Sequence, residues 1–159
     1  MKKLFLVALL AIISIGAYAQ KGQGNQQLGF NIGYAFDSEN ATLGVDYRYN
    51  ITDAIRFNPG VTYFTKNDGL SAWAIDMNLH YVVPLGDSFS FYPLAGLDLS
   101  FWKFGHKDYS DNATRLGANI GLGGEFYATS LLTVGVDLKY NIIKDFDQAM
   151  FAVRVGYNF

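Results

Sequence analysis

The sequence predicts an all-β protein: a transmembrane, up-and-down, eight-stranded antiparallel β-barrel with a polar, charge-paired lumen. Three observations carry this. Beyond the first 26 residues the hydrophobic signal has period two, with no stretch of convincing helical period. Within each strand, alternation sorts glycine, amide and charge to one face and large apolar side chains to the other. The apolar face is itself banded, with aromatic residues at both ends and aliphatic ones between.

The chain start is read apart from the fold. Lys2 and Lys3, the apolar core "LFLVALLAIISI" and the small residues Ala17 and Ala19 form a secretory signal peptide over 1–19, cleaved between Ala19 and Gln20. The core is too short to span a bilayer comfortably as a helix, and an N-terminal membrane anchor is the lesser alternative. With no cysteine in the chain, lipid attachment through an N-terminal cysteine and a disulfide framework are both excluded. Residues 20–26 are polar and read as a flexible lead-in, leaving 27–159 as one barrel domain. The formal net charge of −2 becomes more negative once Lys2 and Lys3 are removed, which argues against nucleic acid as a partner.

The strands follow in order. The first, 27–36, sets Leu28, Phe30, Ile32, Tyr34 and Phe36 against Gln27, Gly29, Asn31 and Gly33, and "DSEN" ends it. The second, 41–50, sets Leu43, Val45, Tyr47 and Tyr49 against Gly44, Asp46, Arg48 and Asn50, before "NITDA". The third, 55–65, opposes Phe57, Val61 and Tyr63 to Arg56 and Gly60, before "KNDG". The fourth, 72–83, opposes Trp73, Ile75, Met77, Leu79 and Tyr81 to Asp76, Asn78 and His80, before "PLGD". The fifth, 89–103, puts Phe91, Leu97 and Phe101 opposite Gly96 and Asp98; "GHKDYSDN" follows. The sixth, 114–127, puts Ile120 and Phe126 opposite Arg115, Gly121, Gly123 and Glu125. After "ATS" the seventh, 131–143, opposes Leu132, Val134, Val136, Leu138 and Tyr140 to Gly135, Asp137, Lys139 and Asn141. After "KDFDQ" the eighth, 150–159, opposes Phe151, Val153, Val155, Tyr157 and Phe159 to Arg154 and Gly156. Pro59 and Pro93 fall inside strands, where a bulge or a late strand start is expected.

A soluble barrel would bury the apolar face, and a membrane barrel would turn it outward. Glycine decides part of this: Gly29, Gly33, Gly44, Gly60, Gly96, Gly117, Gly121, Gly123, Gly135 and Gly156 share the polar face. Glycine weakens a water-facing strand, but the crowded interior of an eight-stranded barrel needs it. Aromatics decide more. Tyr49, Phe57, Tyr81, Phe91, Phe126, Tyr157 and Phe159 gather at the end holding the termini; Tyr34, Phe36, Tyr63, Trp73, Phe101, Tyr140 and Phe151 gather at the other. Two aromatic girdles around an aliphatic belt match a bilayer. The polar face holds Asp46, Asp76, Asp98, Glu125 and Asp137 against Arg48, Arg56, Arg115, Lys139 and Arg154. In so narrow a space these must pair, with Asp137 or Glu125 expected beside Arg154. Lys103 alone has apolar-face parity, at a rim where it can snorkel.

The residues resemble the small eight-stranded outer-membrane β-barrel proteins of the OmpA, OmpX and opacity class, also labelled porin family. The terminal pattern Phe151, Val153, Val155, Tyr157, Phe159 is similar to the signal read by the barrel assembly machinery, and "FYPLAGLDLSF" resembles strands of that group. The resemblance implies a Gram-negative cell outer membrane reached through the periplasm, with periplasmic chaperones and the assembly machinery as partners during biogenesis. It implies contact with membrane lipid and lipopolysaccharide, short periplasmic turns, and outer loops as the partner-facing parts. "KFGHKDYSDNAT" is the longest such loop. Nothing resembling a peptidoglycan-binding domain follows Phe159.

The function expected is therefore structural and surface-interacting, without catalysis, in a monomer whose lumen is plugged by ion pairs. A narrow channel for small solutes or ions is the alternative, and a lipid-modifying enzyme a weaker one. His80 faces the lumen with no serine on its strand face; His106 lies beside Lys107, Asp108 and Ser110 in no order that resembles a lipid A deacylase or acyltransferase. Two distant histidines without cysteine make no metal site, "GLGGEF" lies within a strand rather than before a helix, and no cofactor is expected. The outer loops carry Asp37, Glu39, Asp68, Asp108, Asp111, Asp145 and Asp147 against Lys66, Lys103, Lys107 and Lys144. This acidic excess is that of a solvated rim, or suits cations or a basic partner surface.

Overall fold

The computed structural model describes residues 23–106 and 109–159. Eight long strands form the wall: β1 (Gln26–Ala35), β2 (Asn40–Asn50), β3 (Ile55–Asn67), β4 (Leu70–Tyr81), β5 (Phe89–His106), β6 (Tyr109–Tyr127), β7 (Leu132–Ile143) and β8 (Gln148–Asn158). Each pairs antiparallel with its sequence neighbours, and β8 closes on β1 from Gln27↔Asn158 to Ala35↔Met150. Closure leaves the terminal strand no free edge: Phe159 N still donates to Gln26 O at 3.0 Å. Both described termini lie at one rim, called lower here; the β1–β2, β3–β4 and β7–β8 turns lie at the other, the upper rim.

Side-chain parity is as the alternation requires. Phe30, Ile32, Val45, Trp73, Met77, Leu97, Ile120, Val136 and Val153 are exposed on the outside, while Arg48, Arg56, Glu125 and Arg154 are buried inside. An inward glycine such as Gly96 leaves no space for a Cβ, which would overlap the Met77 carbonyl and Asn78.

Four details differ from the sequence reading. The prolines make no bulge. Opposite Pro59 the β2–β3 ladder lapses between Asp46↔Gly60 and Tyr49↔Phe57 without changing register. The Tyr47 carbonyl there is met by Asn58 Nδ2 at 3.1 Å, in place of the N–H that proline lacks. Opposite Pro93 the β4–β5 ladder pauses after His80↔Leu94 and resumes in the short segment Val83–Pro84, in unchanged register. The register shift in the sheet lies instead between Phe64 and Asn67.

The lead-in is tied down from residue 23 on: Gln23 N donates to Asp53 Oδ1 at 2.8 Å, and Gly24 N to Asn50 O at 2.8 Å. The expected long outer loop is mostly strand. β5 and β6 stay paired from Lys103↔Asn112 to His106↔Tyr109, whereas β6 meets β7 only from Gly117↔Ile143 onward. The hairpin thus stands above the rim with residues 109–116 as an edge. Finally, the upper lumen holds an apolar cluster beside the buried Asn40, Thr42 and Ser100. Ala35, Phe64, Ala72, Ala74, Trp102 and Met150 form a buried cluster, with Leu70, Phe104, Ala113 and Phe146 packed against it.

Candidate functional site: the barrel interior and its upper mouth

Alternation delivers one inward side chain every second residue, and eight converging strands bring residues distant in sequence within bonding range. The densest contacts lie in the lower half. Arg48 on β2 reaches across the lumen to Glu125 on β6, Nη1 to Oε2 at 2.9 Å. Arg56 on β3 takes the other oxygen of Glu125 at 2.7 Å. Arg48 also lies 3.4 Å from Asp137 and 3.6 Å from Asp46. Tyr92 completes this layer: its hydroxyl donates to Asp137 at 2.5 Å and accepts from Arg48 Nη2 at 3.0 Å. The guanidinium carbons of Arg48 and Arg56 stand 5.0 and 4.7 Å from its ring centroid.

Arg154 pairs with Asp46, Nε and Nη2 donating to its oxygens at 2.7–2.9 Å, and donates to Gln27 at 3.0 Å. Its expected partners were Asp137 and Glu125. Those carboxylates are taken by Arg48 and Arg56, because the β1–β2 and β1–β8 registers bring Asp46 and Arg154 near the same stretch of β1: Asp46 opposes Gly29, and Arg154 opposes Asn31. One level higher, Lys139 Nζ meets Asp76 at 2.9 Å, and Asp76 also accepts from Asn119 at 2.7 Å and Thr62 at 3.2 Å.

Two of the ten charged residues stand outside these ion pairs. Asp98 is 1 % exposed, directly opposite Asp76 in the β4–β5 register, with neither carboxyl oxygen hydrogen-bonded. Arg115 is half-buried near the upper rim, its Cζ 6.0 Å from the Phe146 ring, with Nη1 donating to Thr114 O at 3.2 Å. Between the layers lies a cavity of about 60 Å³ bordered by Asp46, Asp76, Asn78, His80, Asp137 and Lys139, polar and roomy enough for a few waters.

His80 is built into this packing. Its Nδ1 accepts from Arg56 at 3.1–3.3 Å and its ring stacks on Tyr92 with centroids 4.5 Å apart. Lys107 and Asp108 lie outside the described residues, as do Ala19 and Gln20. Among the described residues no cluster of three or more histidine, cysteine or acidic side chains is placed to hold a metal.

The sequence reading missed Tyr92, Phe64 and Trp102 as interior residues. Their parity was the available signal, since Tyr92 and Trp102 share a face with Asp98. Sorting by charge and glycine passed over them. Trp102 Nε1 donates to Ser100 Oγ at 2.9 Å, and the indole stacks on Phe146 of the β7–β8 turn at 4.7 Å and 11°. The upper lumen is thereby covered by an aromatic pair drawn from β5 and a turn.

Outside, the half-buried Tyr63 and exposed Trp73 lie 4.7 Å apart in the upper girdle. Lys103 is exposed one turn of the pleat above Phe101, at a height where a lysine side chain can snorkel.

Known proteins share this architecture. The N-terminal β-barrel domain of Pseudomonas aeruginosa OprF superposes with a TM-score of 0.78 at 19% identity, covering 87% of this chain and 99% of that one. Ail, the attachment invasion locus protein of Yersinia pestis, superposes with a TM-score of 0.64 at 16% identity, covering 86% and 99%. In sequence, Outer membrane protein X of Escherichia coli K12 is 24% identical over 154 residues, covering 91% of this chain and 83% of that protein. The family model described as "Outer membrane protein beta-barrel domain" matches residues 5–159. The chain belongs to that family and is a protein of the outer membrane.

Proposed function

We propose that this protein is a monomeric, non-enzymatic barrel whose interior is a structural plug and whose upper rim meets partners at the cell surface. The cross-lumen bridge from Arg48 and Arg56 to Glu125 carries the plug reading. It ties opposite walls together where a pore would need open space, and an eight-stranded barrel has room for side chains only. The Trp102–Phe146 lid supports it from above. Planar-bilayer recording of the purified protein tests it: no steady conductance is expected, and large reproducible openings would favour a channel instead.

The non-enzymatic reading is supported by His80, whose Nδ1 is spent on Arg56 and whose strand face carries no serine. Incubation with lipopolysaccharide and phospholipid should release no fatty acid. The surface reading is supported by the raised β5–β6 hairpin, whose 109–116 edge offers main-chain donors and acceptors to an incoming strand. Trimming the hairpin should leave folding intact and lower cell adhesion; unchanged adhesion would count against it. Outer-leaflet lipid and lipopolysaccharide surround the wall, with Lys103 placed to meet their phosphates.

Export is inferred to remove residues 1–19 between Ala19 and Gln20, to be read by N-terminal sequencing of the mature chain. Phe159, with Phe151, Val153, Val155 and Tyr157, is inferred to be the assembly address. Its deletion should lower surface levels more than loss of any outer turn.

A further inference from the structure

The upper mouth holds a cleft of about 230 Å³ between the β1–β2 and β7–β8 turns. Asp37, Asp145 and Asp147 line it, and among the described residues no lysine or arginine does. Main chain fixes two of these acids. Asp37 Oδ2 accepts from Ala149 N at 2.9 Å, and Asp147 Oδ1 from Ile143 N at 2.7 Å. Asp145 is held in the left-handed region at φ 70°. Of the cations nearby in chain or space, Lys144 is not on the wall and Arg115 sits against the Phe146 ring.

A second observation points to a ligand. Gln148 lines the same cleft and is 1 % exposed. Its Oε1 accepts from Ser38 Oγ at 2.8 Å, while its Nε2 is buried without a hydrogen-bond partner. Buried amide donors are seldom left so, and this one belongs to a side chain on the cleft wall. Phe146, backed by Trp102, supplies a flat apolar wall beside it.

We propose that this cleft binds a basic peptide segment. A guanidinium or ammonium sits among the three aspartates, its main-chain carbonyl accepts from Gln148 Nε2, and its methylene stem lies along Phe146. Charge selects the class: a neutral ligand leaves three carboxylates uncompensated, and an anion is repelled. The inference rests on the surface-interaction reading and gives one part of that surface a partner chemistry.

The chain's two tryptophans are Trp73 and Trp102, so Trp73→Phe leaves Trp102 as a reporter in the cleft floor. This protein, folded in non-ionic detergent, is titrated with N-acetylarginine methylamide and with its neutral citrulline counterpart. The arginine compound is expected to give a saturable fluorescence change, with binding at least about tenfold tighter than citrulline's and weakening with salt. Asp145→Asn, which tolerates the same backbone, and Gln148→Met are each expected to weaken it by about fivefold or more. Heat-shifted gel mobility checks that each variant is folded. Absent binding, equal binding of the two compounds, or unchanged affinity in folded forms of both variants overturns the proposal. The hairpin-trimming experiment judges the broader surface reading separately.

Discussion

Asp98→Asn should make the barrel more stable. The Asp98 carboxyl is 1 % exposed, has no hydrogen-bonded oxygen, and stands directly across from Asp76. Like groups opposed across an antiparallel pair repel, and a buried polar group without a partner costs about 1–3 kcal/mol, more when charged. Asparagine keeps the volume, removes the second acid and brings an amide donor toward Asp76. The expected gain is about 1–3 kcal/mol. With a urea m-value of about 2 kcal/mol/M, the unfolding midpoint should rise by about 0.5–1.5 M. The assay is reversible urea unfolding in detergent micelles, read by heat-modifiable gel mobility and tryptophan fluorescence.

Asp76→Asn is the control of opposite sign. It strips the buried Lys139 of its partner at 2.9 Å, and breaking a buried pair from one side costs about 3–5 kcal/mol. Two acids facing each other across one ladder should therefore move the midpoint in opposite directions. A midpoint lowered or unmoved by Asp98→Asn would refute the reasoning.

Three further outcomes test other layers. Glu125→Gln leaves Arg48 and Arg56 short of their shared carboxylate and should cost about 3–5 kcal/mol; adding Arg56→Met should recover part of it in a double-mutant cycle of unfolding midpoints. Gly96→Ala drives a methyl into the Met77 carbonyl, which is backbone and cannot turn aside, so about 1–3 kcal/mol should be lost. Gly105→Ala, with its nearest neighbour at 3.8 Å, should be near neutral in the same assay. Val153→Arg places a charge on the aliphatic lipid-facing belt and should cost about 2–4 kcal/mol, whereas Val153→Leu should leave the midpoint in bilayer vesicles nearly unchanged.

Much of the fold was legible because a strand repeats its face every two residues. Val153, Val155 and Arg154 declare their sides locally, whatever they touch. Proline was half legible. Pro59 and Pro93 do interrupt ladders, yet the strands hold register across them, because neighbouring bonds fix the pleat and Asn58 fills the missing donor's place. The β5–β6 hairpin was misread as loop, since its polar sequence lacks the apolar face that marks a strand in the membrane. Above the bilayer that face is not required, and mutual hydrogen bonding suffices to extend the ladder.

By itself the sequence determined that eight alternating strands turn a banded apolar face to lipid and a charged, glycine-rich face inward. That follows from the two-residue period and from the cost of leaving charge in hydrocarbon. Only the tertiary structure decided who pairs with whom. Asp46 holds Arg154 from 108 positions away, Glu125 serves two arginines, Asp98 is left facing Asp76, and Phe146 closes over Trp102. Those meetings depend on how far each strand is staggered against the next as the sheet closes. The stagger is a property of the whole ring of hydrogen bonds, and no local stretch of sequence encodes it.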